Sequence, residues 1–146
     1  AKRYTFKVYP AGMGRKVYRT FEFSGKATLD DLCTYIVSAF DFIHEHLYEF
    51  LMDRGGHIRY VYDRDDPWDD MLVDDDCGST NISVSRIGLA VGQNFTLHYD
   101  YGDNWHFVIH VQKIEERPRD EPPKMLKHVG SVEQYPSWDD NEDAEN

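Results

Sequence analysis

Cysteine is scarce: Cys33 and Cys77 are the two thiols in 146 residues. Two are too few for the disulfide framework of a small secreted scaffold. Long apolar runs are missing as well. No stretch approaches the roughly 18 to 20 residues of a membrane span. The opening Ala1-Lys-Arg-Tyr-Thr-Phe6 alternates polar and apolar residues and has no apolar signal region. A chain with no membrane contact and a cytoplasmic location is the expectation. Motifs of established chemistry are absent too. There is no Gly-x-Ser-x-Gly elbow, no phosphate-cradling glycine loop and no Cys-x-x-Cys. Gly12-Met-Gly14 is turn chemistry rather than a nucleotide fingerprint.

What is present is charge and aromatic bulk. The formal net charge is −11, with ten Tyr and eight Phe. The charge is uneven. Residues 63–76 hold eight Asp against one Arg, and residues 139–146 hold five acids and no base. Residues 1–26 run the other way, with seven Lys or Arg against one Glu. A negative overall field opposes nonspecific binding to phosphate backbones. The basic segment keeps one nucleic-acid surface open, through Lys7, Arg15, Lys16 and Arg19. The other expectation is that these residues form the solvated loop and polar face of a hairpin.

The length suits one domain with its own core, placed at residues 1–137, followed by a disordered acidic tail at 138–146. Tyr4, Phe6 and Val8 alternate on one side of a first strand; Val17, Arg19, Phe21 and Phe23 do so on a second. Thr28 is the N-cap of the main helix, with Asp30 and Asp31 in its first turn. Leu29, Leu32, Cys33, Ile36, Val37 and Phe40 form its core face. Cys33 is thus expected to be a buried, inert thiol. No Gly or Pro marks the helix end. A strand is expected from about His46 to Met52, paired across a turn at 53–56 with His57 to Asp63. An unbroken helix from Thr28 to Met52 is the competing reading. Residues 63–80 lack periodicity and are expected to be loop. A short helix is expected within Ile82 to Leu89, and one helical turn at Lys124 to Val129. The expected class is α+β: a single domain with a mostly antiparallel sheet of about six strands and one main helix packed on it.

The densest β-signal is Phe95 to Val111, a hairpin holding three of the seven histidines. Leu97, Tyr99 and Tyr101 share one face before its turn, and Trp105, Phe107, Ile109 and Val111 share one face after it. His98 and Asp100 project together, as do His106 and His110. Histidines converging with a carboxylate suit a divalent transition metal, so His98, His106 and His110 are the candidate ligands. Their spacing matches no His-Glu-x-x-His pattern. No cofactor is otherwise expected. The acidic run 63–76 lacks the Gly and bidentate Glu of a calcium loop. Asp100 and Asp103 are expected to hold the turn through side-chain-to-backbone bonds, with Trp105 anchoring it.

Leu29-Asp-Asp-Leu32, Ala39-Phe40, His46-Leu-Tyr-Glu-Phe50 and Tyr99-Asp-Tyr-Gly-Asp-Asn-Trp105 together resemble the plasmid pRiA-type ORF-three-like family. Its members are also described as insertion-element passenger, TnpR-like proteins. The family hallmark is Tyr-Asp-Phe-Gly-Asp-x-Trp-x-His, after an earlier segment close to His-Leu-His-x-Phe. Here Tyr101 replaces the Phe and Tyr48 the second His. Phe107 stands where the family has His, and His106 lies one residue earlier. A Pro-Pro-Glu-Asp-x-Gly-Gly ending is replaced by Gly130-Ser-Val-Glu-Gln-Tyr-Pro136. The resemblance spans about residues 3–137. It implies an α+β fold and no established activity. Resolvase-like work would need a nucleophilic Ser with Arg partners and a helix-turn-helix, neither of which is readable.

The functional expectation is therefore a non-enzymatic binding or adaptor module for a protein partner. Its candidate surface is His46, Tyr48, Tyr99, Asp100, Asp103, Trp105 and His106. The alternative is a metal-dependent or nucleic-acid-processing enzyme tied to a mobile element.

Overall fold

A computed structural model describes residues 1–53, 55–62 and 77–135. The acidic run 63–76 and the tail 138–146 lie outside the described residues. The strands are β1 (Lys2–Pro10), β2 (Tyr18–Ser24), β3 (Tyr48–Leu51), β4 (Arg59–Val61), β5 (Cys77–Ser79), β6 (Asn94–Tyr99), β7 (Trp105–Glu116) and β8 (Lys124–Val129). The helix α1 spans Leu29–Ala39, and Val84–Arg86 forms a 3-10 turn. The strands make one sheet in the order β5-β4-β3-β6-β7-β1-β2-β8. Every pairing is antiparallel except β4 with β5. The class is α+β, with eight strands where six were expected.

The two extra strands have physical reasons. β5 is three residues long and adjoins the acidic run, so it carries no periodic signal. β8 was expected as a helical turn. It is instead an edge strand, with only Met125 half-buried, so its sequence has no apolar face to alternate. Its position is set by Arg3, which donates to the carbonyls of Glu121 (2.6 Å) and Pro122 (2.8 Å) in the preceding link.

One face of the sheet is dry. Tyr4, Phe6 and Val8 of β1, Phe21 and Phe23 of β2, and Phe107, Ile109 and Val111 of β7 are buried there, as their alternation requires. Arg19 lies on this face with 0% exposure, not on the hairpin's polar side. That removes it from any contact surface. Eight strands about 4.8 Å apart span roughly 34 Å, whereas an 11-residue helix is about 16 Å long. One helix cannot cover that width. The shortfall is met by Phe40 and Phe42 after the helix and by Val84, with Ile82, Ile87 and Leu89 packed against the same core.

Both helix ends are closed locally. The Thr28 hydroxyl accepts from the Asp31 amide and the Asp31 carboxylate accepts from the Thr28 amide, each at 3.0 Å, forming a capping box. The next free amides, of Leu29 and Asp30, donate to the carbonyls of Ile82 and Thr80. At the far end Phe40 is the C-cap and Asp41 adopts φ 60°. The amide of Phe42 reaches the Val37 carbonyl and that of Asp41 the Ser38 carbonyl. This is a Schellman closure with Asp where Gly is usual, which excludes the unbroken helix to Met52. No helix among the described residues is long and apolar enough to cross a membrane.

Thr28→Ala is expected to lower unfolding stability by about 1 kcal/mol, read as a shift in urea midpoint at unchanged slope. An unchanged midpoint would show that the cap does not stabilise this helix.

Candidate functional site

The β6–β7 turn places the site. Asp100 and Asn104 adopt φ 64° and 55°, conformations that Asp and Asn tolerate best among side-chain-bearing residues. The Asp100 carboxylate accepts from the amides of Gly102 (3.1 Å) and Asp103 (3.3 Å), and its carbonyl accepts from the Asn104 amide (2.6 Å). Asp103 thus enters the turn as an amide donor, not through its carboxylate. The left-handed step at Asp100 also breaks the alternation expected for Tyr101. Its ring leaves the core face and lies 5.0 Å from the His98 ring, 44% exposed. Trp105 anchors the turn against Phe42, with ring centroids 4.8 Å apart.

The core side of this turn meets two other segments. The buried Tyr99 hydroxyl donates to the Ile43 carbonyl (2.6 Å) and accepts from the amides of Glu45 (2.9 Å) and His46 (3.3 Å). Burial pushes its pKa up, so the hydroxyl stays protonated as that donor. The Asp100 amide donates to the Leu47 carbonyl at 2.9 Å. His46 stands edge-on to the Tyr99 ring at 5.8 Å. Its Nε2 lies 3.5 Å from an Asp100 carboxylate oxygen, 3.8 Å from Glu45, and in contact with the Tyr135 hydroxyl. Gln134 clasps Ile43: its Oε1 accepts from the Ile43 amide (2.7 Å) and its Nε2 donates to the Ile43 carbonyl (3.1 Å). The result is a half-buried imidazole held between a carboxylate and a phenol. Around it stand the exposed side chains of Ile43 (59%), Leu47 (42%) and Tyr135 (48%).

Of the expected site residues, His46, Tyr99, Asp100 and Asp103 come together here. Tyr48 does not. Its hydroxyl donates to Asp30 and contacts Thr80 (3.1 Å) at the start of α1. Burial first, and then the Asp30 carboxylate, raise its pKa. Gln134 and Tyr135 were missed. Their only sequence signal was their place in the segment that substitutes for a family motif.

The histidines divide between the faces. His98 and His106 pair across β6 and β7 and stack with centroids 4.4 Å apart on the open side of the sheet. His98 Nδ1 donates to Glu49 (2.8 Å), Nε2 pairs with Asn104 (2.8 Å), and His106 Nδ1 donates to the Asn104 carbonyl (3.0 Å). His110 lies four residues further along β7, about 13 Å away by strand rise, against Asn94 at 2.6 Å. Asp100 is on the His46 side. The expected His98–His106–His110 set therefore does not converge. Among the described residues no three His, Cys, Asp or Glu are placed to hold a metal ion.

Beside the site, the exposed His44 packs its ring 5.7 Å from both Tyr48 and Tyr99, with its Nε2 3.9 Å from Cys33 Sγ. Burial, and secondarily Asp30, push the Cys33 thiol well above the ordinary range. A thiol that holds its proton more tightly when folded contributes stability that is lost as pH rises past the unfolded thiol's pKa. In a Cys77→Ser background, Cys33 is expected to resist iodoacetamide at pH 8.5 in buffer and to react in denaturant. Rapid alkylation of folded protein would contradict the burial. Tyr99→Phe is expected to cost about 1–3 kcal/mol and to speed hydrogen exchange at the Glu45 and His46 amides. Unchanged exchange there would show that the hydroxyl does not hold the segment.

The fold is similar to that of MM3350, a protein of unknown function from Methanosarcina mazei Go1 known from a crystal structure. The TM-score is 0.67 at 21% identity, covering 87% of this chain and 68% of that one. Among curated proteins the chain has no match. The model of the plasmid pRiA4b ORF-3-like proteins matches residues 2–135. The segments that build the His46 site, 43–50, 99–105 and 134–135, all fall within that match, and the chain belongs to the plasmid pRiA4b ORF-3-like family.

Proposed function

We propose that this chain is a non-enzymatic binding module that docks a protein partner on the surface around His46. The observation carrying this reading is the ring of exposed Ile43, Leu47 and Tyr135 about an internally bonded polar cluster. Exposed apolar side chains rimmed by polar ones are the usual form of a protein contact, and a central Tyr is a frequent anchor. The rim here is acidic: the exposed Glu45 carboxylate borders it, with buried Asp100 behind His46. A complementary partner offers an apolar anchor flanked by Lys or Arg. The cluster's polar atoms are largely engaged with one another, as suits a fixed recognition surface.

A photo-crosslinking residue placed at Leu47 or at Tyr135, in cells of the source organism, is expected to capture the same protein. Ile43→Asp should abolish that capture. Tyr135→Ala should weaken binding of the captured protein at least tenfold. Val91, exposed elsewhere, is the control position. Identical captures from Val91 and Leu47 would sink the reading.

The second reading, an enzyme tied to a mobile element, draws on the 3.5 Å approach of His46 to Asp100. There His46 would be the general base. His46→Gln tells the two apart: partner capture that survives this change while a hydrolytic activity is lost favours the enzyme.

A further inference from the structure

The face of the sheet turned away from α1 carries chemistry that the His46 site does not use. Strand register aligns Lys127, Thr20, Lys7, His110 and Asn94 in one row across five strands, β8, β2, β1, β7 and β6, with Thr20 itself buried. At the end of β1 this row meets an open groove of about 720 Å³, lined by Lys7, Tyr9, Gly12, Met13, Gly14, Arg15 and Lys16. Gly14 lets the loop close on the Tyr9 ring: a Cβ there would lie 3.0 Å from ring carbon Cδ2. The Lys7 ammonium sits 4.5 Å from the centroid of the Tyr18 ring and 5.6 Å from that of Tyr9. Among the described residues, Lys7, Arg15 and Lys16 form no ion pair with any carboxylate. Three cations with no ion pair among the described residues thus stand by two tyrosine rings.

From this arrangement we infer that the open face is a binding track for single-stranded nucleic acid, entered at the groove between β1 and β2. The cations are placed to take phosphates and the tyrosine rings to take bases. Single strands are bound in this way, by a basic groove with aromatic stacking platforms. The charge complementarity favours a polyanion over a neutral or basic peptide, and the tyrosine faces favour one that carries bases over an acidic peptide. The rings favour unpaired bases, because a duplex keeps its base faces stacked. Lys7 rests over the rings in the free protein. On binding its ammonium moves on its flexible stem to a phosphate and leaves the Tyr18 face for a base. The site lies on the opposite side of the sheet from the His46 surface, so it does not depend on that reading.

The test is fluorescence anisotropy of a labelled oligothymidylate of about 12 nucleotides, within the usual site size, titrated with the full chain. Three phosphate contacts to a single strand predict a salt slope near −2, so affinity falls about 15-fold between roughly 50 and 200 mM salt. Arg15→Ala with Lys16→Ala is expected to weaken binding at least tenfold at the lower salt and to bring the slope below 1 in magnitude. Lys26→Ala, exposed outside the groove, should leave both unchanged. Tyr18→Leu should weaken oligothymidylate about tenfold and leave heparin binding intact. Circular dichroism confirms that each variant is folded. Absence of binding at the lower salt overturns the inference. So does equal affinity for a duplex of the same length, or a Tyr18→Leu variant that binds oligothymidylate as well as the parent.

Discussion

A guanidinium with no access to water sits where β2, the end of α1 and the end of β8 meet. Arg19 donates through Nε to the Ala39 carbonyl (2.8 Å) and through Nη1 to the carbonyls of Tyr18 (3.0 Å) and Val129 (2.9 Å). Its guanidinium carbon lies 4.6 Å from the centroid of the Phe40 ring. Nη2 has no partner among the described residues. Burying a charge this way costs several kcal/mol before compensation. Burial pulls its pKa below the ordinary arginine value, and Asp41 offsets part of that. The compensation is local and directional: helix-end carbonyls, an aromatic face and the negative end of the helix dipole. The position of the helix end follows from this contact. The chain must turn at Asp41, and residues 42–47 then run over the dry face to reach Tyr99. The His46 surface is downstream of a buried charge that never touches it.

The sheet separates two chemistries with one residue of spacing. On β6, Tyr99 points to the dry side and organises residues 43–46, while neighbouring His98 points to the open side and meets Glu49. On β7, Trp105 and Phe107 belong to the core, and His106 stacks on His98. Period-two alternation makes this division strict, because a slip of one residue would exchange the faces. Asp100 is the exception that links them. Its left-handed backbone carries its carboxylate back toward His46 just after His98 has turned away.

Most of the frame was legible because long strands and a capped helix advertise themselves. Alternating Tyr4, Phe6 and Val8 and the Thr28 cap need no tertiary information. The misreadings share a cause: each depends on a partner distant in sequence. Arg19 sits in an apolar alternation, yet only the end of α1 explains why a cation belongs there. Asp41 closes a helix with a conformation that sequence statistics assign to Gly. Tyr101 follows the alternation in sequence and leaves it in space because of one φ angle. Lys124 to Val129 shows no apolar alternation, since this edge strand gives only Met125 to the core. The candidate site was half visible. His46, Tyr99 and Asp100 lie in the two family segments, but Gln134 and Tyr135 arrive from about 90 residues away in sequence, with nothing in their neighbours to announce it.

The two borders of the sheet are unlike its middle. An eight-stranded open sheet presents unpaired backbone groups along its outer strands, and these invite another chain to add itself. Among the described residues, one border is the three-residue β5, too short to template a long pairing. The other is β8, with Lys124 and Lys127 both exposed along it. Adding a copy there would bring lysines against lysines across the new ladder. The edge that looked least like a strand in the sequence is, for that same reason, a guard against fibrous self-assembly.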